Sequence, residues 1–215
     1  MLLLEEEKKA LISELRAKGI KDEKLLSAFF KVPRERFIPE PFRKYAYEDN
    51  ALPIECKQTI SQPFTIAYMT MELEVNKGDR ILEVGTGSGY QAAILCELGA
   101  EVYSIERIEK LYQTAGELLN KLNYKVQLKL GDGTLGWEEN APYDGIIVTA
   151  GAPSIPKSLV QQLKIDGRLV VPVGSLDTQK LYVLKRTGEG INYKVHESFK
   201  FVPLLGEEGW DKSLQ

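Results

Sequence analysis

The sequence predicts an α/β fold: a doubly wound, mainly parallel sheet with helices on both faces, a helical and irregular addition at its N-terminus and an antiparallel hairpin at its C-terminus. Three observations predict it. From Arg80 to Val173 short apolar runs alternate with segments of helical period, which implies right-handed crossovers between parallel strands. Within that region Ile81-Leu82-Glu83-Val84-Gly85-Thr86-Gly87-Ser88-Gly89-Tyr90 reads as a strand, a tight glycine turn and the start of a helix. Beyond it, runs at Gln179–Lys185 and Asn192–Val202 flank Gly188-Glu189-Gly190 as two strands flank a hairpin turn.

The elements follow in chain order. Leu4, Leu11 and Leu15 mark a first helix, and Leu25, Leu26, Phe29 and Phe30 a second, capped by Asp22 and ended by Val32-Pro33. From Arg36 to Pro63 the prolines at 39, 41, 53 and 63 prevent long elements. This stretch still carries Phe37, Tyr45, Tyr47, Leu52 and Ile54, a content that argues against disorder and for a lid or wall beside a site. Gln58-Thr59-Ile60-Ser61-Gln62-Pro63 leads into a helix through Ile66, Met69 and Leu73. Ser61 or Gln62 stands at its cap, with proline in the first turn, so hydroxyls and N–H groups gather where a carboxylate could be received; Ser61 acting only as a helix cap is the alternative.

The glycine turn asks for a ligand. Glycines alternate at 85, 87 and 89, with Tyr90 where a dinucleotide fingerprint would place its third glycine, so the spacing is wrong for NAD. Glu83 just before the turn would repel a pyrophosphate and suits a positively charged ligand, such as S-adenosylmethionine with its ammonium and sulfonium. Glu106 ends the next strand, seventeen residues after Gly89. An acid roughly 20 residues on accepts hydrogen bonds from ribose hydroxyls; pairing with Arg107 or capping the next helix is the other reading. A helix from Ile108 to Leu122 and a strand from Lys125 to Leu130 deliver Gly131-Asp132-Gly133 to a strand's carboxyl end, where Asp132 either meets an adenine or serves as a turn residue. A strand from Asp144 to Thr149, a helix around Pro156–Leu163 and the strand Arg168–Val173 complete the alternation.

Composition excludes several classes. A chain of 215 residues holds one sizeable core, so a single domain is expected. A net charge of −3 gives no basic footprint, so no nucleic-acid partner is expected. No apolar run approaches the ~20 residues of a membrane span. Met1-Leu2-Leu3-Leu4 is followed at once by Glu5, Glu6 and Glu7, unlike a signal peptide, so a cytoplasmic protein without a membrane partner is expected. Cys56 and Cys96 fit no metal spacing and are expected as buried thiols, and His196, the lone histidine, is expected to be structural, so no metal is expected.

Taken together these residues resemble the protein-L-isoaspartate O-methyltransferases, a class I S-adenosylmethionine-dependent family that starts the repair of damaged aspartyl and asparaginyl sites. The likeness runs from Arg36-Phe37-Ile38-Pro39 through Thr59-Ile60-Ser61-Gln62-Pro63, the glycine turn, Gly131-Asp132-Gly133 and Pro142-Tyr143-Asp144 to Phe201-Val202-Pro203-Leu204. The resemblance implies that Glu83, Gly85, Thr86, Gly87 and Gly89 hold the methionine part of S-adenosylmethionine, Glu106 the ribose, and Asp132 with Gly133 the adenine. It implies Ser61 as the active-site residue, with Thr59, Ile60, Gln62, Val202, Pro203 and Leu204 lining the substrate. Isoaspartyl proteins and peptides are the implied partners, and the enzyme is expected to be a monomer. It divides the single domain into a substrate-side region (1–78), a cofactor-binding core (79–175) and a hairpin with a substrate-lining segment (176–215). Relatives with Ala-Pro-His where this chain has Gln62-Pro63-Phe64 have a histidine here absent. Two rivals are a methyltransferase acting on nucleic acid or a small molecule, and a non-catalytic adenosyl-ligand module. The nucleic-acid enzymes commonly carry Asn/Asp-Pro-Pro-aromatic where this chain has Thr149-Ala150-Gly151-Ala152-Pro153.

Overall fold

The protein was analysed as a computed structural model that describes residues 2–211 and 213, with side chains from residue 4 onward; Met1 of the apolar start lies outside them. Helices α1 (Leu2–Ala17) and α2 (Glu23–Lys31) open the chain, and the Asp22 carboxylate caps α2 by accepting from the N–H groups of Lys24 and Leu25. Two 3-10 turns, Arg34–Phe37 and Glu40–Tyr45, lead to a short antiparallel pair, β1 (Leu52–Pro53) and β2 (Thr59–Ile60), and then to α3 (Pro63–Leu73). The stretch is irregular but packed: Phe37, Ile38, Tyr47, Leu52 and Ile60 are buried, because each supplies an apolar side chain to one continuous core.

The main sheet is built from β3 (Arg80–Val84), β4 (Glu101–Glu106), β5 (Val126–Leu130), β6 (Tyr143–Val148), β7 (Leu163–Gly174), β8 (Gln179–Thr187) and β9 (Gly190–Phe199). Helices α4 (Tyr90–Glu97), α5 (Glu109–Lys121) and α6 (Lys157–Gln161) connect the parallel strands. The spatial order is β5-β4-β3-β6-β7-β8-β9, with β3 to β7 parallel and β8 and β9 antiparallel. The chain winds outward from β3 to β5 and then returns to the other side of β3 with β6, so a crevice opens beyond the carboxyl ends of β3 and β6.

Period-two alternation assigns the two faces. Ile81, Val102, Ile147 and Val170 pack with α1 to α4, whereas Leu82, Tyr103, Ile146 and Leu169 pack with Leu159 of α6. By the same alternation Glu83 falls on the face of Ile81, which places a carboxylate where the sheet would otherwise bury an apolar side chain.

Four expectations are corrected. The last helix ends at Gln161 and β7 begins at Leu163, five residues before Arg168. Strand β9 ends at Phe199, because the Phe201 N–H is taken by the side-chain oxygen of Gln179 at 2.8 Å; the chain then leaves the sheet to lie along Gly151. Cys56 is exposed rather than buried, in a turn where it and Lys57 both have φ of 56°; Cys96 is only partly buried. Finally, Gln62 is the N-cap residue of α3, yet neither it nor Ser61 caps with its side chain. Asp49 does so from a distance: its Oδ1 accepts the Phe64 N–H at 2.7 Å, and its Oδ2 accepts from the Gln62 amide at 2.9 Å and from Lys18 Nζ at 2.5 Å. The Asp49 side chain is 3% exposed, so removing it strands a helix N–H and an amide, while Lys18 keeps Glu14 at 2.6 Å. Asp49→Ala is expected to lose about 2–4 kcal/mol of unfolding free energy in urea titration; a loss below 1 kcal/mol would show that water replaces the cap.

Candidate active site

The crevice holds a cavity of about 460 Å³, within the range of small-molecule sites. It is lined by Glu83 to Ser88 and Glu106 from β3, the glycine turn and β4, by Thr59 to Ser61 ahead of α3, and by Phe201 to Leu204 after β9. Gly133, Tyr90, Thr149 and Ala150 close it between them.

The glycine turn is shaped by what crosses it. Gly85 has φ of 97°, and a Cβ there would collide with the Thr149 hydroxyl, whose single proton is shared between the Gly85 carbonyl at 2.7 Å and the Val84 carbonyl at 3.0 Å. Thr149 stands at the end of β6, so one hydroxyl fastens the glycine turn to the neighbouring strand. Gly89, with φ of 88°, does not line the cavity; a Cβ on it would press on Leu119 at 3.2 Å, so it lets α4 approach α5.

Glu83 is the most unusual group in the cavity. It is 0% exposed, and its Oε1 has no hydrogen-bond partner among the described residues. Its Oε2 accepts from the Ser104 hydroxyl at 2.5 Å, and Thr86 Oγ1 lies 2.6 Å from the same Ser104 oxygen. A serine has one hydroxyl proton. If Ser104 gives it to Glu83, Thr86 must be the donor to Ser104, so the three groups form a relay aimed at the carboxylate. Burial pushes the Glu83 pKa up to about 8; the Ser104 hydrogen bond opposes the rise and the Glu106 charge adds to it.

Glu106 serves two backbones at once. Its Oε2 accepts the Gly87 N–H at 2.9 Å and its Oε1 the Ile108 N–H at 2.9 Å, at the cap of α5. Thus the carboxylate that lines the cavity also ties the glycine turn to the next helix.

Three residues expected at the site stand back from it. Gln62 turns its amide to Asp49, Gly89 packs against α5, and Asp132 is outside the cavity lining. Asp132 Oδ1 accepts from the Thr134 N–H and hydroxyl at 2.9 and 2.7 Å, while Oδ2 accepts the Glu207 N–H at 2.8 Å. It therefore buckles the C-terminal segment to the end of β5. Gly133, beside it, does line the cavity, and a Cβ there would collide with Val84. His196 lies outside the lining, bound to the Tyr68 hydroxyl at 2.8 Å and 3.5 Å from Glu72, and holds β9 to α3. The Ser61 hydroxyl makes no hydrogen bond among the described residues; its carbonyl accepts from Arg34 at 2.8 Å.

Sequence reasoning missed Ser104, Thr149, Arg34 and Asp49. Ser104 had a legible signal, a small polar residue in the strand Val102-Tyr103-Ser104-Ile105, directly across from Glu83 once the two strands pair.

The cavity fits the cofactor expected for it: a buried, unpartnered carboxylate oxygen offers itself to a cation, and glycines let the backbone come close. Among the described residues no cluster is suited to a metal ion, and no helix is long and apolar enough to cross a membrane. A crevice so placed in a doubly wound sheet, facing its ligand with an acid, belongs to the class I S-adenosylmethionine-dependent methyltransferases. The comparison with known proteins narrows the class. The model of the protein-L-isoaspartate(D-aspartate) O-methyltransferase family matches residues 6–209, and the chain belongs to that family.

Among its relatives, the protein-L-isoaspartate O-methyltransferase of Chlorobaculum tepidum is 52% identical over 205 residues, covering 95% of this chain and 96% of its own. That of Parvibaculum lavamentivorans is 53% identical, covering 94% and 92%. Among solved structures, a Plasmodium falciparum protein of the same description, in complex with S-adenosyl-L-homocysteine, superposes with a TM-score of 0.80 at 26% identity over 92% of this chain and 97% of its own. The function is isoaspartyl methylation with S-adenosylmethionine as donor; the readings as a nucleic-acid enzyme or a non-catalytic module are not favoured.

The buried carboxylate makes a prediction with a defined sign. The folded protein keeps a proton on Glu83 that the unfolded chain releases between pH 4.5 and about 8. Stability of the cofactor-free protein therefore falls as pH rises across that window and is flat beyond it, by at most roughly 5 kcal/mol. Glu83→Gln is expected to flatten that slope in calorimetric scans from pH 5 to 9; equal slopes for variant and wild type would remove Glu83 as its source.

Proposed function

We propose that the two walls of the crevice divide the methylation of the isoaspartyl α-carboxylate between them. Glu83, Gly85, Thr86 and Gly87 receive the methionine part of the cofactor, Glu106 the ribose, and the backbone at Gly133 the adenine. Thr59, Ile60 and Ser61, with Val202, Pro203 and Leu204, receive the acceptor. Gly89, Asp132 and Gln62 act one step back, as supports of these walls. S-adenosylmethionine, when bound, supplies an electrophilic sulfonium methyl.

The observation that carries this reading is that the buried carboxylate of Glu83 and Ser61 line one cavity. An isoaspartyl α-carboxylate is ionised near neutral pH and needs no general base, which agrees with a histidine that stands outside the lining. The residues then have two tasks, to hold the acceptor carboxylate in line and to keep water out, since opposite charges that neutralise on reaction gain from a dry site. Ser61, with its hydroxyl uncommitted, suits the first. The apolar side chains of Ile60, Phe201, Val202 and Leu204 suit the second.

We further read residues 1–215 as one methyltransferase domain that works as a monomer in the cytoplasm. The first 78 residues form the substrate side, 79–175 the cofactor core, and 176–215 the hairpin and acceptor-lining segment. Two unpaired thiols are in keeping with a reducing compartment.

Ser61→Ala tests the assignment: cofactor affinity by calorimetry should stay within about twofold while turnover falls about 10- to 100-fold, the loss of one hydrogen bond to a charged group. A variant that loses only thermal stability would reduce Ser61 to a backbone element. The substrate is tested with two peptides differing only in an aspartyl or isoaspartyl linkage. Fit to one methylene would give only ~1–3 kcal/mol of discrimination, and a larger ratio of kcat/KM is expected, because the extended Phe201–Leu204 segment reads the main chain as well. A ratio near unity would defeat that reading of the acceptor wall.

A further inference from the structure

Arg34 is fully buried, and no carboxylate is hydrogen-bonded to it. Its Nε donates to the Ala46 carbonyl at 3.0 Å and its Nη2 to the Ser61 carbonyl at 2.8 Å, while Nη1 has no partner among the described residues. The guanidinium carbon lies 4.8 Å from the centre of the Tyr90 ring. Asp49, which attracts it, is committed to Phe64, Gln62 and Lys18, and Glu35 to the Tyr47 hydroxyl. A cation taken out of water costs several kcal/mol, and two carbonyls and a π face offset only part of that. As a device for stability alone it is poor, since an apolar side chain of the same volume would fill the space at lower cost.

Its three contacts have a common destination. Ala46 belongs to the irregular wall, Ser61 to the acceptor side of the cavity, and Tyr90 is the first residue of the helix after the glycine turn, itself lining the cavity. The guanidinium thus spans from the cofactor side to the acceptor side behind both. A positive charge in a dry interior also acts over a longer reach than one in water, and it stands directly behind the residue that meets an anion.

We propose that Arg34 is the positioning residue of the acceptor wall: through the Ser61 carbonyl it fixes where Ser61 stands against the cofactor turn, and its charge biases that wall toward an anionic acceptor. This rests on the assignment of Ser61 to the acceptor side.

The test is a double-mutant cycle on the full chain with Arg34→Met, Arg34→Lys and Ser61→Ala, following cofactor affinity, kcat and peptide KM separately. Arg34→Met should bind S-adenosylmethionine within about threefold of wild type, lose at least tenfold in kcat and raise the KM of an isoaspartyl peptide; Arg34→Lys, which keeps the charge, should recover most of the KM. Adding Ser61→Ala to either should cost less than Ser61→Ala alone, because both changes damage one arrangement. If Arg34→Met does not fold, Arg34→Lys with Ser61→Ala reads the same coupling. Arg34 variants that lose only melting temperature, or losses in kcat that multiply independently, would overturn the proposal. A fully active Ser61→Ala beside a weak Arg34→Lys would instead place the failure in the Ser61 assignment.

Discussion

A carboxylate in a dry interior is costly until something positive joins it, and that constraint shapes the cofactor half of this molecule. Glu83 sits on a strand flanked on both sides by other strands, with one oxygen bound to Ser104 and one without a partner. A strand interior leaves no room for the side chain to turn to solvent. In the empty protein burial keeps a proton on Glu83 up to about pH 8; the Ser104 hydrogen bond favours the ionised form and Glu106 nearby disfavours it. An apolar residue would stabilise the empty protein better. Keeping an acid there makes sense as stored affinity, released when a cationic group arrives.

The acceptor half solves a different problem, holding an irregular chain still. Residues 36–62 have only short turns and one two-residue strand pair of their own, and two charged side chains tie them to what lies around them. Asp49 caps α3 in place of the residues at the cap, and Arg34 gathers the carbonyls of Ala46 and Ser61. The consequence for chemistry is that the Phe64 N–H at the start of α3 is already given to a protein carboxylate and is not free to receive a ligand.

Much of this was legible in the sequence, and what was not shares one cause. The alternating strands and helices, the glycine turn, Glu83 and Glu106 are encoded within single βα units, so spacing alone exposes them. Arg34 reads as one more surface charge in Pro33-Arg34-Glu35-Arg36, and nothing local says that it turns inward. Asp49 caps a helix that starts fourteen residues later. Asp132 reads from its own turn as either a ligand or a turn residue, and its partner at Glu207 lies 75 residues away. The hairpin was overextended for the same reason, since Gln179 and Gly151 take the chain out of the sheet after Phe199. Local pattern finds residues that bind ligands through their own turn, and misses those that bind other parts of the chain.

Those long-range ties also explain why an antiparallel hairpin is attached to a cofactor-binding sheet at all. Phe201 to Leu205 reach the cavity only because they are held at several points: Gln179 takes the Phe201 N–H, the Gly151 N–H binds the Val202 carbonyl at 2.8 Å, and the Leu204 N–H binds the Gly151 carbonyl at 2.8 Å. The Trp210 indole adds a second donor to that carbonyl at 3.0 Å. Gly151 follows the strand that carries Thr149, and Thr149 fastens the glycine turn. One short segment after β6 therefore touches the cofactor turn at one end and the acceptor wall at the other. The spacing between the two is held by backbone hydrogen bonds together with three anchored side chains, Thr149, Gln179 and Trp210, which suits an enzyme whose rate comes from positioning rather than acid–base chemistry.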